Sequence, residues 1–161
     1  MRFSHTVKTA ASPEAIWSIW TAVDKWPEWD FELKRARLDG AFRLGAAGQL
    51  MPKVGPSSRF VISQLAPTKS YTFTTQLLFS ELKVYRFLHF CDGGMACGDR
   101  KLLCFTHEVS FVGPLAFLFN FLLGRRFRRA LPGAMQQLNQ LAESQLLHPA
   151  TVVKKEGEKD A

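Results

Sequence analysis

Two rhythms of apolar and polar positions organise the chain. A spacing near 3.6 marks residues 12–23 and the region after Pro114, and a spacing of two fills most of the text between them. "FSHTVKTA" (3–10) is a short strand with weak alternation. "SPEAIWSIWTAV" opens a helix: Ser12 suits the N-cap, Pro13 the first helical position, and Glu14 the first turn. Ile16, Ile19, Trp20 and Val23 then share one face, and "DKWPEWD" follows as a second short helix capped by Asp24.

Strand signals repeat after this point, with turn residues between them. "FELKRARL" ends at "DG", and "RFVISQLAP" ends at Pro67. "GQLMPKV" carries Pro52, which predicts an edge or bulged strand. In "SYTFTTQLLF", Tyr71, Phe73, Thr75, Leu77 and Phe79 alternate against Thr72, Thr74 and Gln76. "ELKVYRFLHFC" and "RKLLCFTHEVSF" flank the loop "DGGMACGD" as a hairpin. The second places Leu103, Phe105, His107, Val109 and Phe111 on one face and Cys104, Thr106, Glu108 and Ser110 on the other.

From Pro114 to Leu147 the pattern is helical, with Leu123, Phe127, Ala130, Leu131, Ala134, Leu138, Leu141 and Ala142 in one stripe. Leu115, Leu118, Phe119 and Leu122 share a face rotated away from it, so the region bends, with Gly124 and Pro132 as candidate break points. Residues 1–148 form a single domain and 149–161 a polar tail. Consecutive strands with hairpin-length links predict an α+β fold. Its antiparallel sheet of seven strands curls around the long C-terminal helix, and the two short helices close one end.

Composition sharpens this picture in three places. The 14 phenylalanines against 2 tyrosines favour a bulky apolar interior or a ring-lined cavity. The formal charge of +7 admits nucleic acid, anionic lipid or acidic ligands as partners, and equally a plain basic surface. Cys91, Cys97 and Cys104 are odd in number and contain no CxxC pair, which argues against a disulfide scaffold and a zinc site. Cys91 and Cys104 are expected as small buried hydrophobes in a reducing, cytoplasmic setting. "MRFSHTVKTAAS" has no apolar core of a signal peptide. The longest apolar run, "GPLAFLFNFLLG", is about half the roughly twenty residues a spanning helix needs.

The element order, with "ASPEAIWSIWTAVDKWPEWD", "RFVISQLAPTKSYTF" and "THEVSFVGPLAFLFNFLLGRRFRRALPGAMQQLNQLAE", resembles the START-like, polyketide-cyclase/dehydrase (SRPBCC) superfamily over roughly Arg2 to Ala142. The resemblance implies the helix-grip fold of the birch pollen allergen and an apolar cavity between sheet and helix. Members include lipid carriers, aromatases and cyclases, hormone receptors, coenzyme Q-binding proteins and chaperone cofactors, so fold does not select the function.

The candidate residues follow from facing. No nucleophile elbow, zincin, phosphate-loop or dinucleotide motif is present, and no cofactor or metal is expected. His107 should point to the apolar side of its strand, as a ligand-binding or acid-base residue or as a core histidine. Arg86 sits among apolar neighbours, where it either anchors a carboxylate inside or points outward along its stem. Tyr71, Phe73, Thr75 and Leu77, with Phe105 and Val109, should line the concave face, opposite Phe127, Leu131, Ala134 and Leu138 of the long helix. Trp17, Trp20, Trp26 and Trp29 cluster in the short helices, and Trp26 and Trp29 either form a lid or staple the helices to the sheet end. The facing of His89 stays open, and His5 and His148 are expected to be solvated.

Three functions fit: binding of a small hydrophobic or lipid-like ligand, a cyclase or aromatase in the same cavity, or a docking module using Arg125 to Arg129. The binding reading is preferred. Phe117, Phe121, Arg125, Arg128 and Arg129 would touch an anionic membrane if exposed. A nucleic-acid role is disfavoured because Phe127 falls on the core stripe. The sequence leaves the oligomeric state open.

Overall fold

The alternating segments become seven strands of one antiparallel sheet in the computed structural model, which describes residues 2–91 and 102–147. The strands are β1 (Arg2–Thr9), β2 (Leu33–Leu38), β3 (Ala47–Pro52), β4 (Ser58–Ala66), β5 (Ser70–Leu77), β6 (Ser80–Cys91) and β7 (Leu102–Val112). Their order across the sheet is β1-β7-β6-β5-β4-β3-β2. Every pairing joins consecutive strands except β1 with β7, so β1 and β2 are the two edges. The loop between β6 and β7, with Cys97, lies outside the described residues, as do His148 and the tail.

Two short helices carry the chain from one edge to the other: α1 (Pro13–Thr21) and a 3₁₀ helix (Val23–Glu28). Ser12 caps α1 by accepting a hydrogen bond from the Ala15 amide at 3.1 Å, and Pro13 occupies the first turn. Ile16, Ile19 and Trp20 are buried beneath it. Trp26 continues inward from the 3₁₀ helix and donates its indole N–H to the Trp20 carbonyl at 3.0 Å.

The C-terminal region is α2 (Ala116–Phe119), a π-helical turn (Asn120–Gly124) and α3 (Arg125–Leu147). A π turn ends at Gly124, the first of the two expected break points, and its extra residue rotates the two apolar faces relative to each other. Pro132, by contrast, lies inside α3 and does not end it. Ala134, Met135, Leu138 and Ala142 are buried in the grip of the curled sheet, while Leu123, Phe127 and Leu131 are half-buried.

The start of α3 reaches both sheet edges. Arg126 pairs through Nε with the Glu32 carboxylate, one residue before β2. The Arg128 guanidinium sits 5.4 Å from the ring of Phe3 on β1. Further along, the Ala10 amide after β1 donates to Glu143 at 3.1 Å.

Three sequence expectations are corrected. The strand ending at Pro52 is an interior strand, because Pro52 stands opposite Leu33 at its last rung and the irregularity falls in β2 between Leu33 and Arg35. Phe79 does not continue the inward face of β5; it sits in the β5–β6 turn at φ 50° and is exposed. Cys91 and Cys104 are disulfide-bonded, with Cα atoms 5.7 Å apart. A sequence count cannot see this, because the bond depends on the β6–β7 register.

Gly48 on β3 is a test of packing. A Cβ there would run into the Arg37 carbonyl and the Phe60 ring. Gly48→Ala is expected to destabilise the fold by about 1–3 kcal/mol, seen as a lower urea midpoint at unchanged slope.

Candidate functional site

Strand register aligns four chemistry-bearing residues in one row. His5 of β1 stands opposite His107 of β7, His107 opposite Arg86 of β6, and Arg86 opposite Tyr71 of β5. Directly opposite residues of antiparallel neighbours point to the same side of the sheet. The row therefore crosses the concave face, with Arg86 3% and His107 1% exposed. Tyr71 is also buried and His5 is half-buried, so the expectation of a solvated His5 fails.

Arg86 is enclosed by rings. Its guanidinium lies 4.5 Å from the Trp26 ring centre, 4.7 Å from Trp29 and 5.3 Å from Phe73, and Nη1 donates to the Tyr71 hydroxyl. Each desolvated contact between a cation and a ring face contributes up to about 2 kcal/mol. Among the described residues no carboxylate oxygen lies within 4.0 Å of Arg86. The carboxyl that acts on it through space is Asp30, half-buried just after Trp29, which accepts from the Glu32 amide at 3.2 Å. Burial pushes its carboxyl above the usual range, an effect that Arg86 partly offsets.

The neighbours of Arg86 are held neutral. Burial, then the Arg86 charge, then His5 keep the His107 imidazole well below its ordinary pKa of 6.5. Its ring packs 5.6 Å from Trp20, 5.8 Å from Phe105 and 5.9 Å from Trp29. Burial pushes the Tyr71 phenol up to about 12, against the opposing pull of Arg86. Tyr71 therefore keeps its proton and can donate it as a hydrogen bond.

The same interior holds Arg86 Nε, His107 Nε2, Trp20 Nε1, Trp29 Nε1 and Thr75 Oγ1, each buried without a hydrogen-bond partner. Three of the five can only donate. A buried polar group without a partner costs about 1–3 kcal/mol. The site is rich in donors and short of acceptors, an arrangement complementary to a carboxylate, carbonyl or enolate oxygen.

The other predicted residues divide between this interior and its rim. Phe73, Phe105 and Val109 are buried on the concave face, with Ala134 and Leu138 on the inner side of α3. Phe127 and Leu131 are half-buried there, and the Phe127 ring centre lies 6.3 Å from that of Phe111. Leu77 instead helps line an open groove of about 560 Å³ with Phe119 and Thr74, remote from the row. Trp26 and Trp29 are packed onto Arg86 rather than standing at a rim. Sequence reasoning missed His5, Trp20 and Asp30 as parts of the site. The signal for His5 was present, because it alternates with Phe3 and Val7 as His107 does with Phe105 and Val109.

No protein-family model matches the chain, and no curated protein matches it by sequence. Solved structures do. The di-domain ARO/CYC protein StfQ of the steffimycin biosynthetic pathway is 12% identical with a TM-score of 0.66. That match covers 90% of this chain and 51% of StfQ, so the chain spans about half of that protein. NE0264 from Nitrosomonas europaea is 12% identical with a TM-score of 0.66, covering 91% of this chain and 97% of its own. DR_A0006 from Deinococcus radiodurans is 9% identical with a TM-score of 0.61, covering 91% and 98%. At these identities the likeness shows the fold alone, an α+β helix-grip. No helix among the described residues is long and apolar enough to cross a membrane.

The neutral His107 has a signature in pH. The unfolded chain takes up a proton on this imidazole below its ordinary value of 6.5, whereas the folded chain resists it. Stability attached to His107 is thus present above about pH 6.5 and falls as pH drops toward the depressed folded value. Asp30 acts in the opposite sense: its raised carboxyl pKa favours the protonated folded state, a contribution lost as pH rises through that value. His107→Gln should show a flatter fall in urea midpoint between about pH 7 and pH 5 than the parent protein.

Proposed function

We propose that the concave face binds a small, largely apolar molecule through an acidic or carbonyl oxygen placed at Arg86. One observation carries this reading: a buried guanidinium with an unpaired Nε and no carboxylate within 4.0 Å among the described residues. Ring faces and one phenol support its charge without saturating its donors. The half-buried Phe3, Phe127 and Leu131 pack against the core, and an apolar ligand would enter past them. A carrier would need no more than this.

A cyclase or aromatase would use the same row. Arg86 and Tyr71 would polarise a substrate carbonyl, and the neutral, unpaired His107 would take a proton from the adjacent carbon. StfQ, whose fold this chain shares, is named as an ARO/CYC protein, which keeps this reading beside the first.

Native mass spectrometry of gently extracted protein tests the binding reading. The expected result is a fraction of chains carrying an acidic or carbonyl-bearing small molecule, absent in Arg86→Met. Methionine suits the test because an apolar residue of similar volume often replaces a buried charge without loss of stability. Failure of the parent protein to retain any small molecule, together with no thermal shift from long-chain and aromatic carboxylates, would remove the proposal. Turnover that collapses in His107→Ala while binding persists would favour the enzyme.

A second surface supports docking on an anionic membrane. Phe117 is 70% and Phe121 68% exposed, and Leu118 and Leu122 are exposed beside them. Leu78 and Phe79 add exposed apolar bulk from the β5–β6 turn, which the bond from the Leu115 amide to Ser80 Oγ at 3.0 Å joins to the start of α2. Exposed Arg125, Arg128 and Arg129 follow on α3, and no Asp or Glu occurs between residues 109 and 142. Apolar insertion flanked by unopposed positive charge is complementary to anionic lipid. Flotation should show binding to phosphatidylserine-containing vesicles that weakens with salt. Phe117→Ser with Phe121→Ser should abolish it, and Arg125→Gln with Arg129→Gln should flatten the salt dependence. Equal flotation of the parent and both double variants would exclude this surface.

A further inference from the structure

On the convex side of the sheet, β6 and β7 bring together a cluster that the concave site does not use. His89 stands directly opposite Cys104, and Cys91 lies two residues beyond His89 on the same strand. The period of two puts His89 and Cys91 on one face, and the register adds Cys104 to that face. One ligand-type atom from each of the three lies within 4.8 Å of those of the others. Cys104 is buried, and His89 and Cys91 are half-buried.

His89 carries the second observation. Its Nδ1 is buried and has no hydrogen-bond partner. The ring is held by Phe87, 5.3 Å away, which in turn stacks on Tyr85 at 4.8 Å. An oriented imidazole with a buried, unpartnered nitrogen, and with one ring nitrogen within 4.8 Å of two sulfurs, is the donor set of a zinc site. Two ligands at i and i+2 of one strand with a third from its neighbour can occupy three corners of a tetrahedron. Tetrahedral zinc holds sulfur and nitrogen ligands roughly 3.4–3.8 Å from one another, so small side-chain rotations suffice.

We propose that His89, Cys91 and Cys104 form a redox-gated zinc site, with water as the fourth ligand. In the disulfide state described here neither sulfur carries a thiolate charge, and zinc is not held. A dithiol reductant opens the bond: two electrons pass to the cysteines, each sulfur takes a proton, and the reductant becomes a disulfide. Zn²⁺ then displaces both thiol protons and binds the two thiolates and His89 Nδ1. A peroxide reverses the cycle. The thiolates lose two electrons and form the S–S bond, Zn²⁺ departs, and the peroxide with two protons becomes two waters. The sites of β6–β7 cross-linking and of metal binding are thereby mutually exclusive.

The test uses untagged full-length protein, reduced with a phosphine or oxidised with peroxide, and titrated with Zn²⁺ against a chromophoric chelator. Reduced protein should bind one Zn²⁺ per chain, and Co²⁺ in its place should show a thiolate-to-metal charge-transfer band. Oxidised protein should bind none, and its peptide map should contain the Cys91–Cys104 cross-link. His89→Gln, a half-exposed position expected to fold, should weaken zinc at least tenfold while leaving the disulfide able to form. Cys104→Ser should lose both properties. Zinc binding that is equal in reduced and oxidised protein, absent from both, or unchanged in His89→Gln and Cys104→Ser would overturn the proposal.

Discussion

A guanidinium keeps its charge even where water is excluded. Arg86 is nonetheless almost fully enclosed, and much of the molecule is arranged around that constraint. The charge is met by the faces of Trp26, Trp29, Tyr71 and Phe73 and by one phenolic oxygen, rather than by a contacting carboxylate. Its field then adds to the environment of its neighbours: burial first and the Arg86 charge second keep His107 neutral, and the desolvation of Asp30 and Tyr71 is partly offset. A salt-bridged arginine would have had its donors saturated. Here the low-dielectric surroundings strengthen any interaction with an incoming oxygen.

The two faces of the sheet divide the chemistry. The concave face collects a cation, a neutral imidazole and a phenol under a roof of indoles. The convex face of β6 and β7 carries the Tyr85–Phe87–His89 stack and the cysteine pair. Alternation along β6 separates them with one residue of offset, so Arg86 and Phe87 are neighbours in sequence and face opposite environments.

Much of the fold was legible in the chain. The strand–helix–helix–strands–helix order follows from turn residues and from the change of period, and His107 was placed inward because β7 alternates cleanly. Arg86 was not placed, because β6 is apolar on both sides: Val84 and Leu88 face in, while Tyr85 and Phe87 form an aromatic stack facing out. The cysteine pair was invisible for another reason. Cys91 and Cys104 are 13 residues apart and come together only through a register that spacing along the chain does not specify. Phe79 deceived by continuing an alternation into a turn, where its φ of 50° carries it out of the strand. Pro132 deceived because a helix already held by burial of Ala134, Met135 and Leu138 tolerates the loss of one backbone bond.

The strand order has a consequence for how the protein comes into being. From β3 to β7 each strand pairs with its predecessor in the chain, and such contacts form early at low entropic cost. The β1–β7 ladder joins residues about a hundred positions apart, as Thr6 and Thr106 do, and the Arg126–Glu32 bond spans 94. His5 joins the row only when β1 pairs with β7. A nascent chain stalled before that step would hold the Arg86–Tyr71 pair without the β1 end of the row, so a complete row reports completion of the longest-range contacts in the fold.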